Sequence, residues 1–240
     1  VTIVFVSSIR NGRIGRFSRR FLQGDMMKII KSGLVAAAVL GFIGAGFSSS
    51  SYAETTNFSH TTLGIDIGRV TPKTPICAGG QCLSSLSGAS VGGSIQFADD
   101  LLIASLSGDS VSGSTSAWSV KSGGGALTLA IVKAIGDKVD IQAGIASLSS
   151  TVEVCSGGFC STIDDTGLGF GGALDVWLDD SKKLAGQISM ESSKYSKDTS
   201  RINTLGLKLG YYVTKNSEIY GTYGTNSDAS SLVFGYRHHF

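Results

Sequence analysis

The sequence predicts an all-β chain, an antiparallel up-and-down transmembrane β-barrel of ten strands, with eight as the alternative count, preceded by a cleaved signal peptide. Three observations predict it. Short segments alternate apolar and small-or-polar residues with a period of two, which places one class on each face of a strand. The connections alternate between short turn-like pieces and long Ser/Gly-rich ones, the pattern of inner turns and outer loops in outer-membrane barrels. The alternating segments run about nine to eleven residues, the length of a tilted strand that crosses a bilayer.

Composition fits this class. The 240 residues include 33 Gly and only 2 Pro, which suits neither a helical bundle nor a collagen-like chain. The chain is too apolar for a disordered one. Basic residues number 20 against 18 acidic, but the balance hides an asymmetry. Up to Ala53 there are seven Lys/Arg and only Asp25 as an acid, whereas residues 54–240 carry thirteen basic and seventeen acidic residues. A mildly acidic body argues against a nucleic-acid partner.

Residues 26–53 read as a secretory signal. Lys28 and Lys31 make a positive start, Gly33 to Phe47 is apolar, and Ser51-Tyr52-Ala53 offers small residues where a signal peptidase reads. The apolar stretch is short for a membrane helix, so cleavage before Glu54 is expected. Residues 1–25 read as an upstream, non-structural extension. Ser18-Arg19-Arg20-Phe21-Leu22 is close to a twin-arginine signal, but that route carries folded proteins and a membrane barrel crosses unfolded. Residues 54–240 then form the barrel domain.

The ten strands are expected at 62–70, 90–97, 101–107, 124–133, 139–148, 167–178, 184–193, 202–213, 218–225 and 231–240. The seed at 62–70 alternates Leu63, Ile65 and Ile67 with Gly64, Asp66 and Gly68. At 139–148, Val139, Ile141 and Ile145 oppose Asp140, Gln142 and Gly144. At 167–178, Leu168, Phe170, Leu174, Val176 and Leu178 oppose Gly169, Gly171, Ala173 and Asp175. The clearest case is 205–213, with Leu205, Leu207, Leu209, Tyr211 and Val213 against Gly206, Lys208, Gly210 and Tyr212. Short turns are expected at 98–100, 135–138, 179–183 and 214–217, and long loops at 71–89, 108–123 and 149–165. The pair around Ala98-Asp99-Asp100 is the weakest, and without it the count is eight. An even count places both termini on the periplasmic side.

The last segment, Leu232-Val233-Phe234-Gly235-Tyr236-Arg237-His238-His239-Phe240, alternates and ends on Phe. It resembles the assembly signal of bacterial outer-membrane barrels, with Phe234, Tyr236 and Phe240 as its apolar positions. With the signal peptide and hairpin pattern, the chain resembles a small outer-membrane barrel of the OmpA/OmpX-like or porin-like class. The resemblance implies the cell outer membrane of a Gram-negative-type cell, outer-membrane lipid and lipopolysaccharide as surroundings, and the barrel assembly machinery as a partner. It is architectural and matches no subfamily motif, so it carries over no functional residues and leaves the oligomeric state open.

Cys77-Ala-Gly-Gly-Gln-Cys82 and Cys155-Ser-Gly-Gly-Phe-Cys160 are two copies of one pattern. In an oxidising compartment they read as two local disulfides, with a four-thiolate zinc site as the sharper alternative. Gly167-Leu-Gly169-Phe-Gly171-Gly172 has the letters of a dinucleotide fingerprint, but it continues as a strand where the fingerprint needs a helix. His60, His238 and His239 belong to one rim, where they read as interfacial residues beside girdle aromatics, with a metal site as the alternative. That leaves no His for a lipid-modifying hydrolase at the outer leaflet.

By parity the lumen receives Asp66, Asp140, Asp175, Glu191 and Glu218 against Lys208 and Arg237. This set reads as a polar plug or as a narrow cation-preferring pore, since ten strands enclose little more than a side-chain-filled interior. Each cation is expected to be shared among several carboxylates. Lys194, Lys197 and Arg201 cluster at an outer hairpin tip and suit lipopolysaccharide phosphates. The expected function is a non-enzymatic structural component or narrow porin-like passive pore, with no cofactor and no metal. The alternative is a surface adhesion or interaction protein using the stapled loops, and a lipid-modifying enzyme ranks last.

Overall fold

A computed structural model describes residues 56–98, 101–198 and 201–240. The expected extension 1–25, the signal 26–53 and Asp99-Asp100 lie outside the described residues. Twelve strands are present among those described: β1 (Thr62–Pro72), β2 (Ile76–Ala78), β3 (Gln81–Leu83), β4 (Leu86–Phe97), β5 (Leu102–Ser114), β6 (Trp118–Ile135), β7 (Val139–Ser156), β8 (Phe159–Trp177), β9 (Leu184–Tyr195), β10 (Ile202–Thr214), β11 (Ser217–Thr225) and β12 (Ala229–His239). Ten of them close an antiparallel barrel in the order β1-β12-β11-β10-β9-β8-β7-β6-β5-β4, and β4 pairs back onto β1. The remaining two, β2 and β3, form a small separate hairpin.

The inside-out distribution of side chains follows from the alternation. In β10, Ile202, Thr204, Gly206, Lys208, Gly210 and Tyr212 are buried, while Leu205, Leu207, Leu209 and Tyr211 are exposed. A lysine faces in and leucines face out, the reverse of a soluble sandwich. Ile65, Ile131, Ile145, Phe170, Met190, Leu209 and Phe234 continue this apolar girdle around the wall. Hydrocarbon is the medium that covers such a surface. Closure through Thr62↔His239 and the rest of the β1–β12 ladder leaves no sheet edge within the girdle.

The expected long loops at 108–123 and 149–165 are mostly strand. β5 to β8 run on, through pairs such as Val120↔Val154 and Val152↔Ile163, to a tip at Ser156↔Phe159. The period of two persists there. Val120, Val152 and Val154 are buried inside, while Ser119, Thr151 and Glu153 point outward. The outward partners are Ser, Thr and Glu in place of Leu and Ile because these strands have left the hydrocarbon for water. The lipid-facing pattern is thereby inverted, apolar inside and polar outside, which makes the segments look like loops in the sequence. Within 71–89, β1 continues to Pro72 and β4 starts at Leu86, with the β2–β3 hairpin between.

Both Gly-Gly pairs serve as two-residue turns with positive φ at each position, 56° and 77° at Gly79 and Gly80 and 59° and 83° at Gly157 and Gly158. Only residues without a Cβ take that pair of conformations freely, which is the hairpin geometry that matches strand twist.

Three layers fill the interior. At the end where β8 stops and β9 begins, Phe58, Trp177, Ala185 and Tyr212 pack together. The middle is mostly polar, with a small apolar cluster of Ile103, Ala130, Val132 and Ala173 beside Gln142. At the far end a larger apolar cluster includes Val70, Leu86, Val111, Trp118, Val152 and Tyr195. Ile76 and Leu83 of the β2–β3 hairpin belong to that cluster, so the hairpin covers the outer end of the interior.

Candidate functional site

The polar layer is organised around one acid. Glu218, fully buried on β11, lies 2.9 Å from Lys208 Nζ, 3.6 Å from Arg237 Nη1 and 3.4 Å from His239 Nε2. The expectation that each cation would be shared among several carboxylates is therefore reversed, because one carboxylate serves three basic groups. Backbone pairing explains the gathering. Glu218 stands opposite Tyr212 on β10 and Arg237 on β12, and Lys208 lies two pleat repeats further along the same inner face, with Gly210 between. Glycine makes the room: a methyl on Gly210 would overlap the Glu218 carboxylate.

Asp66 lies next to this node. It accepts hydrogen bonds from the Tyr220 hydroxyl and, at 2.9 Å, from Ser90 Oγ. Arg237 donates to the same Tyr220 oxygen at 3.3 Å and lies over its ring at 4.6 Å, with Lys208 Nζ 5.0 Å from the ring centre. A methyl on Gly235 would collide with both Asp66 and Tyr220.

Asp140 and Asp175 have separate roles. Asp140 accepts the backbone N–H of Asn57 at 3.0 Å and of Phe58 at 3.1 Å, and His60 Nε2 is 3.8 Å away. Asp175 accepts from Gln187 Nε2 at 2.8 Å and from Gln142 Nε2. Glu191 also points inward, on β9, apart from the Glu218 node. All seven charged residues expected in the lumen thus lie on the inner face, in three groups and one outlier.

Several inner residues were not expected from the sequence. His60 and His239 are both fully buried, away from the interfacial girdle where they were placed, and only His238 faces out, packed edge-on to Phe240 at 4.7 Å. Residues 56–61 tuck into the barrel end. Phe58 stacks on Trp177 at 4.4 Å, Trp177 Nε1 donates to the Asn57 carbonyl at 3.2 Å, and Tyr212 and His239 extend the stack. No strand pattern precedes Thr62, so nothing in the sequence marks this segment as a plug. Asp109 was hidden in an expected loop. It lies on the inner face of β5, and its carboxylate oxygens are buried without a hydrogen-bond partner among the described residues.

At the outer end, Cys77–Cys82 and Cys155–Cys160 are disulfides, which leaves no free thiol for a zinc site. The two stapled hairpins meet at the β5–β6 turn. Gln81 bonds to Ser116 and accepts from the Ala117 N–H at 3.2 Å, and its carbonyl accepts from Trp118 Nε1 at 3.3 Å. Ser156 Oγ donates to the Ala117 carbonyl on the other side at 3.2 Å.

Of the three outer cations, Lys194 and Arg201 are exposed on the wall, with Arg201 stacked 5.2 Å over Phe170 at the outer margin of the girdle. Lys197 turns away and donates to the Asp164 carbonyl. Beside it, Asp165 accepts from Ser196 Oγ and, at 3.1 Å and 2.8 Å, from the N–H groups of Lys197 and Thr166. Burial works against its charge, but these donors outweigh it and hold its carboxyl below the usual range.

Phe240 is exposed beside Tyr236 and Phe234 on the outer face of the last strand, and its N–H donates to the Thr61 carbonyl at 3.0 Å. That single backbone bond and an outward ring contribute little to the finished barrel. Deleting Phe240 should therefore lower the folded fraction in cells severalfold, while refolding of the purified chain in detergent stays near normal. Equal defects in both settings would refute an assembly role.

No protein-family model matches the chain, and no curated protein matches it in sequence. Solved structures are similar in outline only. The translocator domain of the autotransporter NalP from Neisseria meningitidis is 11% identical, with 93% of this chain and 98% of that one covered and a TM-score of 0.48. An outer membrane channel from Pseudomonas putida F1 is 10% identical over 81% of this chain and 98% of its own, with a TM-score of 0.46. Ail, the attachment invasion locus protein of Yersinia pestis, is 13% identical over 74% and 99%, with a TM-score of 0.36. At these distances none of them carries an inference about what this chain does.

Proposed function

We propose that the chain is an integral outer-membrane barrel, non-enzymatic, that works from its outer surface and not through its lumen. The observation that carries this reading is the burial of the inner charges. Asp140, Glu218 and His239 are 0% exposed and Lys208 is 8% exposed, where a conducting pore would keep such groups wet. The Phe58 stack supports closure at one end and the β2–β3 hairpin at the other. The outer-membrane assignment is supported by the apolar girdle on a closed strand wall and by disulfides at one end, which need an oxidising compartment.

Outer-membrane lipid is the expected surrounding, with lipopolysaccharide phosphates beside Lys194 and Arg201. The barrel assembly machinery is the expected reader of the strand that ends at Phe240. The exported extension of β5 to β8, stapled at its tip, is the part that a partner outside the cell meets first.

Planar-bilayer recording of refolded protein tests the reading. No step conductance is expected. Cation-selective steps would establish the narrow passive pore instead and would require the plug to move.

A further inference from the structure

We propose that the outer half of β8 is a strand-addition site for an extended segment of a soluble polypeptide. The proposal deepens the reading that this protein works from its outer surface. β7 pairs with β8 along its whole length, out to Ser156↔Phe159. β9 pairs with β8 only from Gly167↔Tyr195 inward. Between Phe159 and Thr166, β8 therefore has one neighbour among the described residues, and the extension carries a free sheet edge.

The direction of each backbone group on this edge can be read from two contacts. The Thr166 carbonyl accepts the Ser196 N–H at 2.8 Å, on the β9 side, and the Asp164 carbonyl accepts Lys197 Nζ on the same side. Backbone groups along a strand alternate in direction, so Thr162 and Cys160 face that side as well. Among the described residues, no protein group pairs with the N–H and carbonyl of Cys160 and Thr162 or with the N–H of Asp164.

Free edges are ordinarily blunted by Pro, Lys, a bulge or a covering loop. The run from Phe159 to Thr166 contains no Pro and no Lys, and its register with β7 is unbroken. The edge is also held rigid. The Cys155–Cys160 disulfide fixes its tip, Val152 and Val154 behind it are fully buried with Ile163 packed on them, and Asp165 ties its base to Ser196 and Lys197. A preformed edge spares an incoming strand much of the ordering cost of binding.

The occupant follows from the groups on offer. Alternating N–H and carbonyl at strand spacing are matched by the backbone of an extended polypeptide. A second copy in the same membrane does not fit. Antiparallel pairing of β8 with its own copy needs a twofold axis perpendicular to the sheet, which would invert the second barrel. A parallel pairing needs an axis along the strands, and barrel strands tilt away from the membrane normal. On the water-facing side the edge presents Thr162 and Asp164 with Glu153 behind, which favours Lys or Arg on that face of the incoming strand. Phe159, 82% exposed at the tip, offers an apolar contact at the strand's end.

The test uses the full-length refolded barrel and the capped peptide Lys-Val-Thr-Val-Lys-Val-Thr-Val-Lys, with the same peptide N-methylated at alternate residues as control. Saturable binding is expected, with slowed amide exchange at Cys160, Thr162 and Asp164. The methylated peptide should not bind. Thr162→Pro removes an outward-facing N–H but no β7 bond, a position where an edge strand tolerates proline, and should weaken binding on the order of tenfold.

Binding that Thr162→Pro leaves unchanged, protection mapping to other strands, or no binding at millimolar peptide would each overturn the proposal. So would protection that rises with protein concentration and needs no peptide, which would assign the edge to a copy in a facing membrane. Should the proline variant fail to insert, the exchange map of the unsubstituted barrel decides alone. Absent peptide binding in a non-conducting barrel would remove only this site, whereas conductance would remove the broader reading and leave the edge result standing.

Discussion

Replacing Glu218 with Gln is expected to destabilise the barrel by about 3–5 kcal/mol in urea unfolding from detergent. The amide keeps the size but removes the single charge on which Lys208 and Arg237 converge. Both cations would remain buried, with Asp66 reached only through Tyr220. Uncompensated charge in a dry interior is the largest electrostatic penalty that one substitution can create here. Lys208→Met should cost less, about 1–2 kcal/mol, because Glu218 keeps Arg237 and His239. The double variant should show coupling of roughly 1 kcal/mol or more between the two positions. A wet lumen predicts a different outcome. Water would screen the site, each single variant would lose under about 1 kcal/mol, and coupling would vanish.

The second large effect is expected at Phe58. Its ring is fully buried and stacked on Trp177. Phe58→Ala should cost about 3–5 kcal/mol, the usual range for removing a buried aromatic. The loss should be accompanied by faster amide exchange at Asn57 and Phe58, whose N–H groups are held by Asp140. Asp140→Asn should accelerate the same two amides while leaving the Phe58–Trp177 stack in place. If Phe58→Ala changes stability by less than about 1 kcal/mol, the 56–61 segment is a loose tail and not a plug. Bilayer recording of the same variant shows whether that segment is also what keeps the barrel shut.

What the sequence determines by itself is the wall. A period of two with Leu and Ile on one face and Gly, Ala or a charge on the other specifies a strand with lipid outside, and closure follows because hydrocarbon satisfies no backbone group. Parity alone also assigns Asp66, Asp140, Asp175, Glu191, Lys208, Glu218 and Arg237 to the interior, since every second residue must point there. The signal weakens where the medium changes. Beyond the girdle the outward residues turn polar while Val120, Val152 and Val154 face in, so the lipid-facing pattern is inverted and strand reads as loop.

Which inner groups meet was left to the tertiary structure. A face says nothing about height or about the neighbour across the ladder, and the registers of β10, β11 and β12 are what bring Lys208, Glu218, Arg237 and His239 to one point. The inward tuck of Phe58 and His60 and the free edge of β8 likewise depend on contacts between segments far apart in the chain. Side-chain pattern specifies direction locally, whereas partnership depends on register and closure, which exist only once the barrel has formed.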